Sequence, residues 1–310
     1  MGRASAVFAV GLASVLGGCY HGVDSTADIV SSRDVEFNNT QLQGVQLQGV
    51  QLQGTAFSGT QVINGELVTR SGEELIGAEL SLAIEADGSN ETFVLRFDNI
   101  YPDPKWDDVS LYEISYRPIG SDAWTDLCAG GVPAIPLSNY WDHASGDRID
   151  DPNVATFACT NAVLAKCVEW GYRPWAEATR CKDWDSKKKK KGCTEVSLQD
   201  YHQACTRMAR ADYCGDGTPW TVPGTAIDIY DHLNPQIEAM ATDWTIEAEW
   251  TPEGAYCLND IRQQAWKQQG LYPACFLNKY GKPKKYGDCG SLKHHRALLA
   301  NGFDKFGEGP

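Results

Sequence analysis

Cys214 stands out in the stretch RADYCGDGTPW, residues 210–220, because it lies between an aspartate–tyrosine pair and a glycine-rich turn. A cysteine in this setting is either the reactive thiol of an enzyme or one half of a disulfide. A catalytic thiol needs a nearby base, and His202 is the nearest histidine in the sequence. A straight helix would separate the two by roughly 18 Å. The pair Cys205–His202, on adjacent helical faces, is a second arrangement of a thiol and a base.

The cysteine count favours disulfides. The chain has 11 cysteines, and Cys19 belongs to an N-terminal motif described below. The other ten cysteines are an even number, which is typical of the disulfide framework of an exported protein. No CxxC pair or other zinc spacing occurs, so we expect no metal site and no cofactor. We predict that these cysteines pair with one another: Cys128, Cys159, Cys167, Cys181, Cys193, Cys205, Cys214, Cys257, Cys275 and Cys289.

Two helices are expected to carry the central cysteines. Residues 197–213 have an apolar stripe, with Ser197 and Asp200 in capping-box spacing and Gly215 as the expected stop. Residues 161–170 also have a helical pattern.

Helical geometry limits the pairing of these cysteines. Cys205 and Cys214 would lie roughly 13 Å apart along a helix, and a disulfide spans about 7 Å between Cα atoms at most. We therefore expect a bridge between the two helices, with Cys167–Cys205 as the first choice. A Cys181–Cys193 bridge would close a surface loop that contains a run of five lysines, which contact solvent or anionic lipid head groups.

The N-terminus, MGRASAVFAVGLASVLGGC, has one early charge and then an apolar stretch that is too short to span a bilayer. It ends in Leu16-Gly17-Gly18-Cys19, which resembles a bacterial lipobox. We predict a lipoprotein signal peptide at 1–18, a lipid on Cys19 and location in the cell envelope, anchored to the outer membrane. The alternative is an ordinary secretory signal with a chance cysteine.

The mature chain is expected to begin with a lipid-anchored tether at 19–34, followed by repeats at 35–59. Large apolar residues recur there every five positions from Phe37 to Phe57. This spacing resembles pentapeptide repeats, whose fold is a β-helix, so a short β-helix-like stalk is one interpretation. A flexible spacer is the other.

The remaining chain has an α+β pattern. Residues 60–127 alternate apolar and polar side chains, which indicates a small antiparallel β unit. Residues 128–310 are expected to form a disulfide-rich α+β domain. Within it, residues 244–258 predict a hairpin with Glu247 and Glu249 on its exposed face; a hydrolase-like carboxylate pair is the alternative.

Several segments together carry a family resemblance: FACTNAVLAKCVEWGYRPW, HQACTRMARADYCGDGTPW, AIDIYD and EAEWTPEGAYCLNDIR. They resemble the ADYC domain, a family of bacterial exported lipoproteins, over roughly residues 128–306. The resemblance supplies no catalytic residue. Some relatives look like polymorphic toxins with an appended toxin domain. Here a short basic tail with His294 and His295 follows, which we interpret as closing the fold rather than as a nuclease remnant.

The function expected from these features is a non-enzymatic binding or structural role at the envelope. The chain carries a net charge of −14, which disfavours nucleic acid as a partner. The expected partners are the membrane, through Cys19, and an envelope or neighbouring-cell protein. The alternatives are a lipoprotein toxin or toxin carrier, and a hydrolase that uses His202 or His143.

Four aspartates near the motif form a further candidate site. They offer oxygen ligands for Ca²⁺, but their spacing matches no EF-hand loop, and we favour turn and hydrogen-bonding roles. The four are Asp212, Asp216, Asp228 and Asp231.

Overall fold

A computed structural model describes residues 45–46, 50–86, 89–142, 144–181, 192–237, 245–283, 289–290, 292 and 295–303. The signal peptide, Cys19, the tether and most of the repeats lie outside these residues. The lysine run, His143 and His294 also lie outside them.

The described residues form eighteen strands, three α-helices and three short 3₁₀ helices. The strands are β1 (Val45–Gln46), β2 (Val50–Gln53), β3 (Ala56–Ile63), β4 (Glu66–Ser71), β5 (Glu79–Ala86), β6 (Ser89–Pro102), β7 (Ser110–Pro118), β8 (Thr125–Asp126), β9 (Ala134–Ser138), β10 (Tyr140–Trp141), β11 (Arg148–Ile149), β12 (Val154–Cys159), β13 (Glu177–Cys181), β14 (Cys193–Ser197), β15 (Asp228–Asp231), β16 (Thr245–Thr251), β17 (Gly254–Leu258) and β18 (Leu299–Phe303). The α-helices are α1 (Val163–Glu169), α2 (Gln199–Arg210) and α3 (Gln264–Gln268). The 3₁₀ helices are Gly72–Leu75, Ala129–Gly131 and Ala274–Phe276.

A seven-stranded antiparallel sheet forms one half of the fold. Its order is β1-β12-β9-β7-β6-β5, with β8 also paired to β7. The alternating segments in β6 and β7 pair antiparallel, with Phe97 opposite Ile114. The sheet takes strands from both sides of residue 128, so the segment expected as a separate β unit shares its sheet with the cysteine-rich segment.

The end of the repeats packs onto this sheet. Strands β2, β3 and β4 form a three-stranded antiparallel sheet, and the described part of the repeats contains no β-helix coil. Phe57, at a repeat position, is buried against Phe97, Tyr112 and Phe157, with ring centroids 5.5–5.7 Å apart. The backbone N–H of Phe57 donates to the Tyr112 hydroxyl at 3.1 Å. The repeat segment is therefore tied into the aromatic core of the large sheet.

Helices α1 and α2 pack against each other and line the second core. Helix α2 begins at Gln199, and the predicted capping box is wrong: the Ser197 hydroxyl accepts from the Gln199 N–H at 3.2 Å. The physical reason is that β14 runs to Ser197, which pairs with Glu177, so the chain turns directly from strand into helix. The helix ends at Arg210, because the next residue, Ala211, adopts the left-handed conformation with φ +51°; this end comes before the predicted stop at Gly215.

The second core also includes a four-stranded antiparallel sheet in the order β15-β18-β16-β17. The exposed face predicted for Glu247 and Glu249 is wrong, because both side chains are fully buried. Strand β16 lies between β17 and β18, and its pairing shifts register at Ile246/Ala248 and at Glu249/Trp250. These irregularities interrupt simple alternation, and segments outside the sheet cover both carboxylates.

Five disulfides join the ten predicted cysteines, with Cα–Cα distances of 4.1–5.9 Å. The α1–α2 bridge is Cys167–Cys205, as expected, and Cys205 and Cys214 belong to different bridges. The helical separation expected between Cys205 and Cys214 does not apply, because α2 ends at Arg210 and Cys214 lies in the turn that follows. The pairs are Cys128–Cys159, Cys167–Cys205, Cys181–Cys193, Cys214–Cys275 and Cys257–Cys289. The fold is therefore a disulfide-rich α+β structure with several small antiparallel sheets.

None of the helices in the described part of the chain is long and apolar enough to cross a membrane.

Candidate functional site

Asp212 organises the turn that follows α2, residues 211–217, which we call the ADYC turn. Its carboxylate accepts from the backbone N–H groups of Asp216 at 3.1 Å and Gly217 at 3.0 Å, and it pairs with the Arg207 guanidinium. Burial raises the pKa of Asp212, and Arg207 and Arg210 offset this only in part. The aspartate therefore stabilises the turn, as expected from its position.

Arg207, five residues before Asp212, is the cation of this cluster and is 1% exposed. Its guanidinium also donates to the carbonyl of Pro252 at 3.0 Å and contacts Asp147 and the Ser145 carbonyl. One buried arginine thus joins the end of α2, the 145–147 loop and the β16–β17 turn.

Tyr213 enters a second buried network. Its hydroxyl donates to Glu247 at 2.8 Å and accepts the backbone N–H of Arg262 at 3.1 Å. Burial and Glu247 raise the pKa of Tyr213 well above its usual value. Burial alone would lower the pKa of Arg262, but Glu247 and Tyr213 outweigh that effect and raise it.

Glu247 is the centre of that network. It pairs with Arg262 at 3.0 Å and accepts from Asn301 at 2.9 Å, and Asn301 in turn accepts from the indole of Trp250 at 2.7 Å. The network therefore joins the ADYC turn to β16, β18 and the segment before α3, and it holds Glu247 as a charge partner of Arg262.

Cys214 is bonded to Cys275, which settles the question raised by the motif: the thiol is one half of a disulfide. The next residue, Gly215, lies so close to the neighbouring turn that a Cβ atom there would be 1.8 Å from the carbonyl oxygen of Glu253. At Gly217 a Cβ atom would be 2.1 Å from the carbonyl oxygen of Ala144. The motif is thus a tightly packed junction of three chain segments.

His202, the candidate base, is fully buried between α1 and α2. Its Nε2–H donates to the carbonyl of Leu164 at 2.9 Å, while Nδ1 has no hydrogen-bond partner in the described part of the chain. Burial lowers its pKa to about 4. Cys205 beside it is bonded to Cys167, so the pair Cys205–His202 supplies no free thiol.

Of the other three candidate aspartates, Asp228 lies at the start of β15, and Asp216 and Asp231 accept hydrogen bonds from neighbouring groups. Asp216 accepts from the Thr218 N–H at 3.0 Å. Asp231 accepts from the hydroxyl of Tyr172 at 3.0 Å and from the N–H groups of Leu233 and Ile237. Among the described residues, no group of three or more histidine, cysteine or acidic side chains is arranged to hold a metal ion.

A groove of about 380 Å³ adjoins the end of α2. Successive turns of α1 form one wall, and the loop after the ADYC turn forms the other. The lining comprises Val163, Lys166, Glu169, Trp170, Ala209, Arg210, Thr221, Val222, Gly224, Thr225, Ala226 and Ile227. Its volume lies within the range of ligand pockets, roughly 300–1,000 Å³.

The polar side of the groove centres on Glu169. Burial and the nearby Asp103 raise the pKa of this carboxyl group, and Lys166 and Lys105 oppose the shift. The backbone carbonyl of Glu169 accepts from Lys105 at 2.8 Å and from the Trp106 indole at 3.0 Å. The end of α1 is therefore held in place beside the groove.

The fold and the motif together define a disulfide-stapled α+β domain built around a buried Asp-Tyr-Cys turn. The ADYC domain family matches residues 72–264. This match covers more than half of the chain, so the chain belongs to the ADYC domain family. No curated protein and no solved structure matches it.

The sequence did not predict the roles of the buried cations Arg207 and Arg262 or the presence of the groove. The sequence contains a weak signal for Arg207, since this arginine lies five residues before Asp212, near the end of the same helix. Arg262 carries no such signal, because its partner Glu247 lies on β16, where simple alternation predicts an exposed side chain. The register shift that changes this is not visible in the sequence.

Proposed function

We propose that this chain is a lipid-anchored protein of the cell envelope that binds a ligand in the groove between α1 and the 221–227 loop, in a non-enzymatic role. The observation that supports binding is the groove, which combines apolar walls with charged side chains at one end of α1. Concave sites of this composition are typical of ligand binding.

The N-terminal motif supports the anchor. Leu16-Gly17-Gly18-Cys19 after a short apolar stretch is the pattern at which a signal peptide is removed and the new N-terminal cysteine is acylated. Several acyl chains on Cys19 would hold the domain at the membrane. The tether at residues 19–34 would separate the domain from the lipid, since the repeat segment from Val45 onward belongs to the folded domain.

Labelling with a palmitate analogue, followed by membrane fractionation, tests the anchor. We expect the unmodified chain to carry label and to sediment with membranes. Cys19→Ser should lose both properties, and the neighbouring Tyr20→Ser should retain both. An unlabelled wild-type chain that retains residues 1–18 would contradict the anchor.

Production of residues 19–310 in a cytoplasm that permits disulfide formation tests the toxin alternative. We expect normal growth. Growth arrest would contradict a purely binding role and favour the alternative of a toxin transferred between cells.

A further inference from the structure

Strand β4, Glu66–Ser71, has a regular and open edge. It is the last strand of the sheet β2-β3-β4, and β3 is its only partner among the described strands. The β3–β4 ladder has no bulge, and the strand contains no proline. Bulges and prolines are two of the devices that keep an edge strand from pairing with another chain. β4 therefore offers a site at which a further strand can pair.

The turn between β3 and β4 determines the hydrogen-bonding pattern of the ladder. Its two residues, Asn64 and Gly65, both have positive φ, at +53° and +84°. A two-residue turn of this kind closes a hairpin with a hydrogen-bonded pair, which here is Ile63 and Glu66. Since hydrogen-bonded and other pairs alternate along an antiparallel ladder, this pair sets the pattern for the whole strand.

The backbone groups that face the open edge belong to Leu67 and Thr69. The alternation directs the N–H and C=O groups of Glu66, Val68 and Arg70 to β3. Those of Leu67 and Thr69 point the other way, and both side chains are exposed, Leu67 at 76%. The edge therefore combines outward-facing donors and acceptors with an exposed apolar side chain.

The charges of β4 are arranged symmetrically about Val68. Glu66 lies two residues before Val68 and Arg70 lies two residues after it, on the same face of the strand. If a second copy pairs antiparallel about a two-fold axis at Val68, Glu66 of each copy lies opposite Arg70 of the other. These are non-hydrogen-bonded positions, where side chains across a ladder come closest. Leu67 and Thr69 then form the hydrogen-bonded pairs, so the strand is complementary to itself.

We propose that β4 is a self-association edge, at which two copies of the chain pair antiparallel about Val68 and join their three-stranded sheets into one. An interface between identical copies needs a self-complementary surface, and the charges of Glu66 and Arg70 supply one. An axis at Leu67 or Thr69 also fits the hydrogen-bonding pattern, but it places a charge opposite Val68 and loses both ion pairs. One pair of short strands buries little surface, so the dimer is weak and depends on concentration.

Analytical ultracentrifugation of residues 19–310 at a series of concentrations tests the proposal. The chain carries Cys19→Ser, which removes the cysteine outside the five disulfides, so no free thiol can crosslink two copies. We expect a monomer–dimer equilibrium. Glu66→Arg and Arg70→Glu should each weaken the dimer by at least about tenfold, because each places like charges opposite each other twice. An equimolar mixture of these two variants should restore the dimer, since every introduced charge then faces one of opposite sign.

Oxidative crosslinking tests the register. Opposite Cα atoms of a non-hydrogen-bonded pair lie about 4.5 Å apart, which a disulfide can span. Val68→Cys should therefore form a crosslinked dimer under mild oxidation. Glu66→Cys should not, because the two copies of this position lie about 13 Å apart along the strands.

Glu195→Arg and Arg296→Glu are the matched controls, because both residues are exposed and lie outside β4. They should associate like the wild type. None of the β4 residues lines the groove, so the dimer is independent of the proposed ligand binding, and Cys19→Ser makes the measurement independent of the anchor.

A chain that stays monomeric at every concentration would overturn the proposal and leave the edge to a strand of another protein. Equal weakening by the β4 variants and the controls would overturn it as well. So would a mixture of Glu66→Arg and Arg70→Glu that associates no better than either variant alone, or crosslinking of Glu66→Cys in preference to Val68→Cys.

Discussion

At the scale of single residues, Gly215 and Gly224 share a positive φ, +66° and +75°, but have different surroundings. Alanine at either position adopts a backbone conformation that disfavours a side chain, a penalty of about 1 kcal/mol. At Gly215 the added methyl also meets the carbonyl of Glu253, whereas Gly224 faces open space. We expect Gly215→Ala to destabilise the fold by about 3 kcal/mol or more, and Gly224→Ala by about 1 kcal/mol. Chemical denaturation measures both, and equal losses would contradict the close packing of the motif.

His202 makes the stability depend on pH. Its folded-state pKa of about 4 lies below the ordinary value of 6.5, so the unfolded chain binds more protons between these two values. The contribution of neutral His202 to the free energy of unfolding is therefore complete above pH 6.5. It is lost as the pH falls towards 4, by about 3 kcal/mol in total. Denaturation at several pH values should show a shallower loss over this window in His202→Gln than in the wild type. His232→Gln, at a partly exposed histidine, should keep the wild-type slope.

Glu247 neutralises the buried guanidinium of Arg262. Glu247→Gln leaves that charge without its partner, and we expect a loss of roughly 3–5 kcal/mol in the free energy of unfolding. Asp260→Asn, which removes the partner of the more exposed Lys267, should cost about 1 kcal/mol or less. If the two variants lost similar stability, the role of Glu247 as the centre of the network would be wrong.

At the scale of elements, the five disulfides differ in access to solvent. Cys193 and Cys275 are exposed, whereas both cysteines of the other three bridges are buried. Limited reduction with a phosphine should open Cys181–Cys193 and Cys214–Cys275 first. Alkylation followed by peptide mass spectrometry would show this order. Early alkylation of Cys167 or Cys205 would contradict the packing of α1 against α2.

Elements with strong local patterns are predictable from the sequence. The alternation in β6 and β7 and the apolar stripe of α2 each indicate the element that forms. Element ends are less predictable because distant contacts decide them: Ser197 is held in β14 by Glu177, and a left-handed Ala211 ends α2. The burial of Glu247 was missed for the same reason, since its partners lie outside its hairpin.

At the scale of the whole molecule, the family match from 72 to 264 is shorter than the part of the chain that packs together. Residues outside it include Phe57, β18 and the cysteines that bond to Cys214 and Cys257. We expect residues 72–264 alone to lack the near-ultraviolet circular dichroism of packed aromatic side chains, whereas residues 45–303 retain it. A native-like spectrum from 72–264 would show that the flanking strands are dispensable.

Phe57→Ala is a milder test of the same boundary. It removes one ring from the aromatic cluster of the large sheet and should cost about 3–5 kcal/mol. Leu67, at an exposed position of β4, is the matched control, and Leu67→Ala should change stability by less than about 0.5 kcal/mol. Thermal denaturation would separate the two, and a small effect of Phe57→Ala would indicate that the β2–β3 hairpin is only loosely attached.

The candidate site was less predictable than the fold. The structural role of Cys214 followed from cysteine parity, and the turn role of Asp212 followed from its position near the end of a helix. The groove has no local signal, because its two walls are about fifty residues apart and meet only when α1 packs against α2. Nothing in the local sequence marks Lys166 and Trp170 as groove residues, because the groove exists only when the 221–227 loop lies opposite α1.

The position of β18 determines when the four-stranded sheet can form. This strand, Leu299–Phe303, is synthesised after β15, β16 and β17, yet it lies between β15 and β16. The four-stranded sheet therefore has a gap in its middle until residue 303 is available, and the Asn301 contact to Glu247 forms only then. Pairings across such long sequence separations form slowly. Until then, the chain would expose unpaired strand edges and cysteines that have not yet formed disulfides. A folding assistant or a disulfide-forming enzyme would therefore have its greatest effect in this interval.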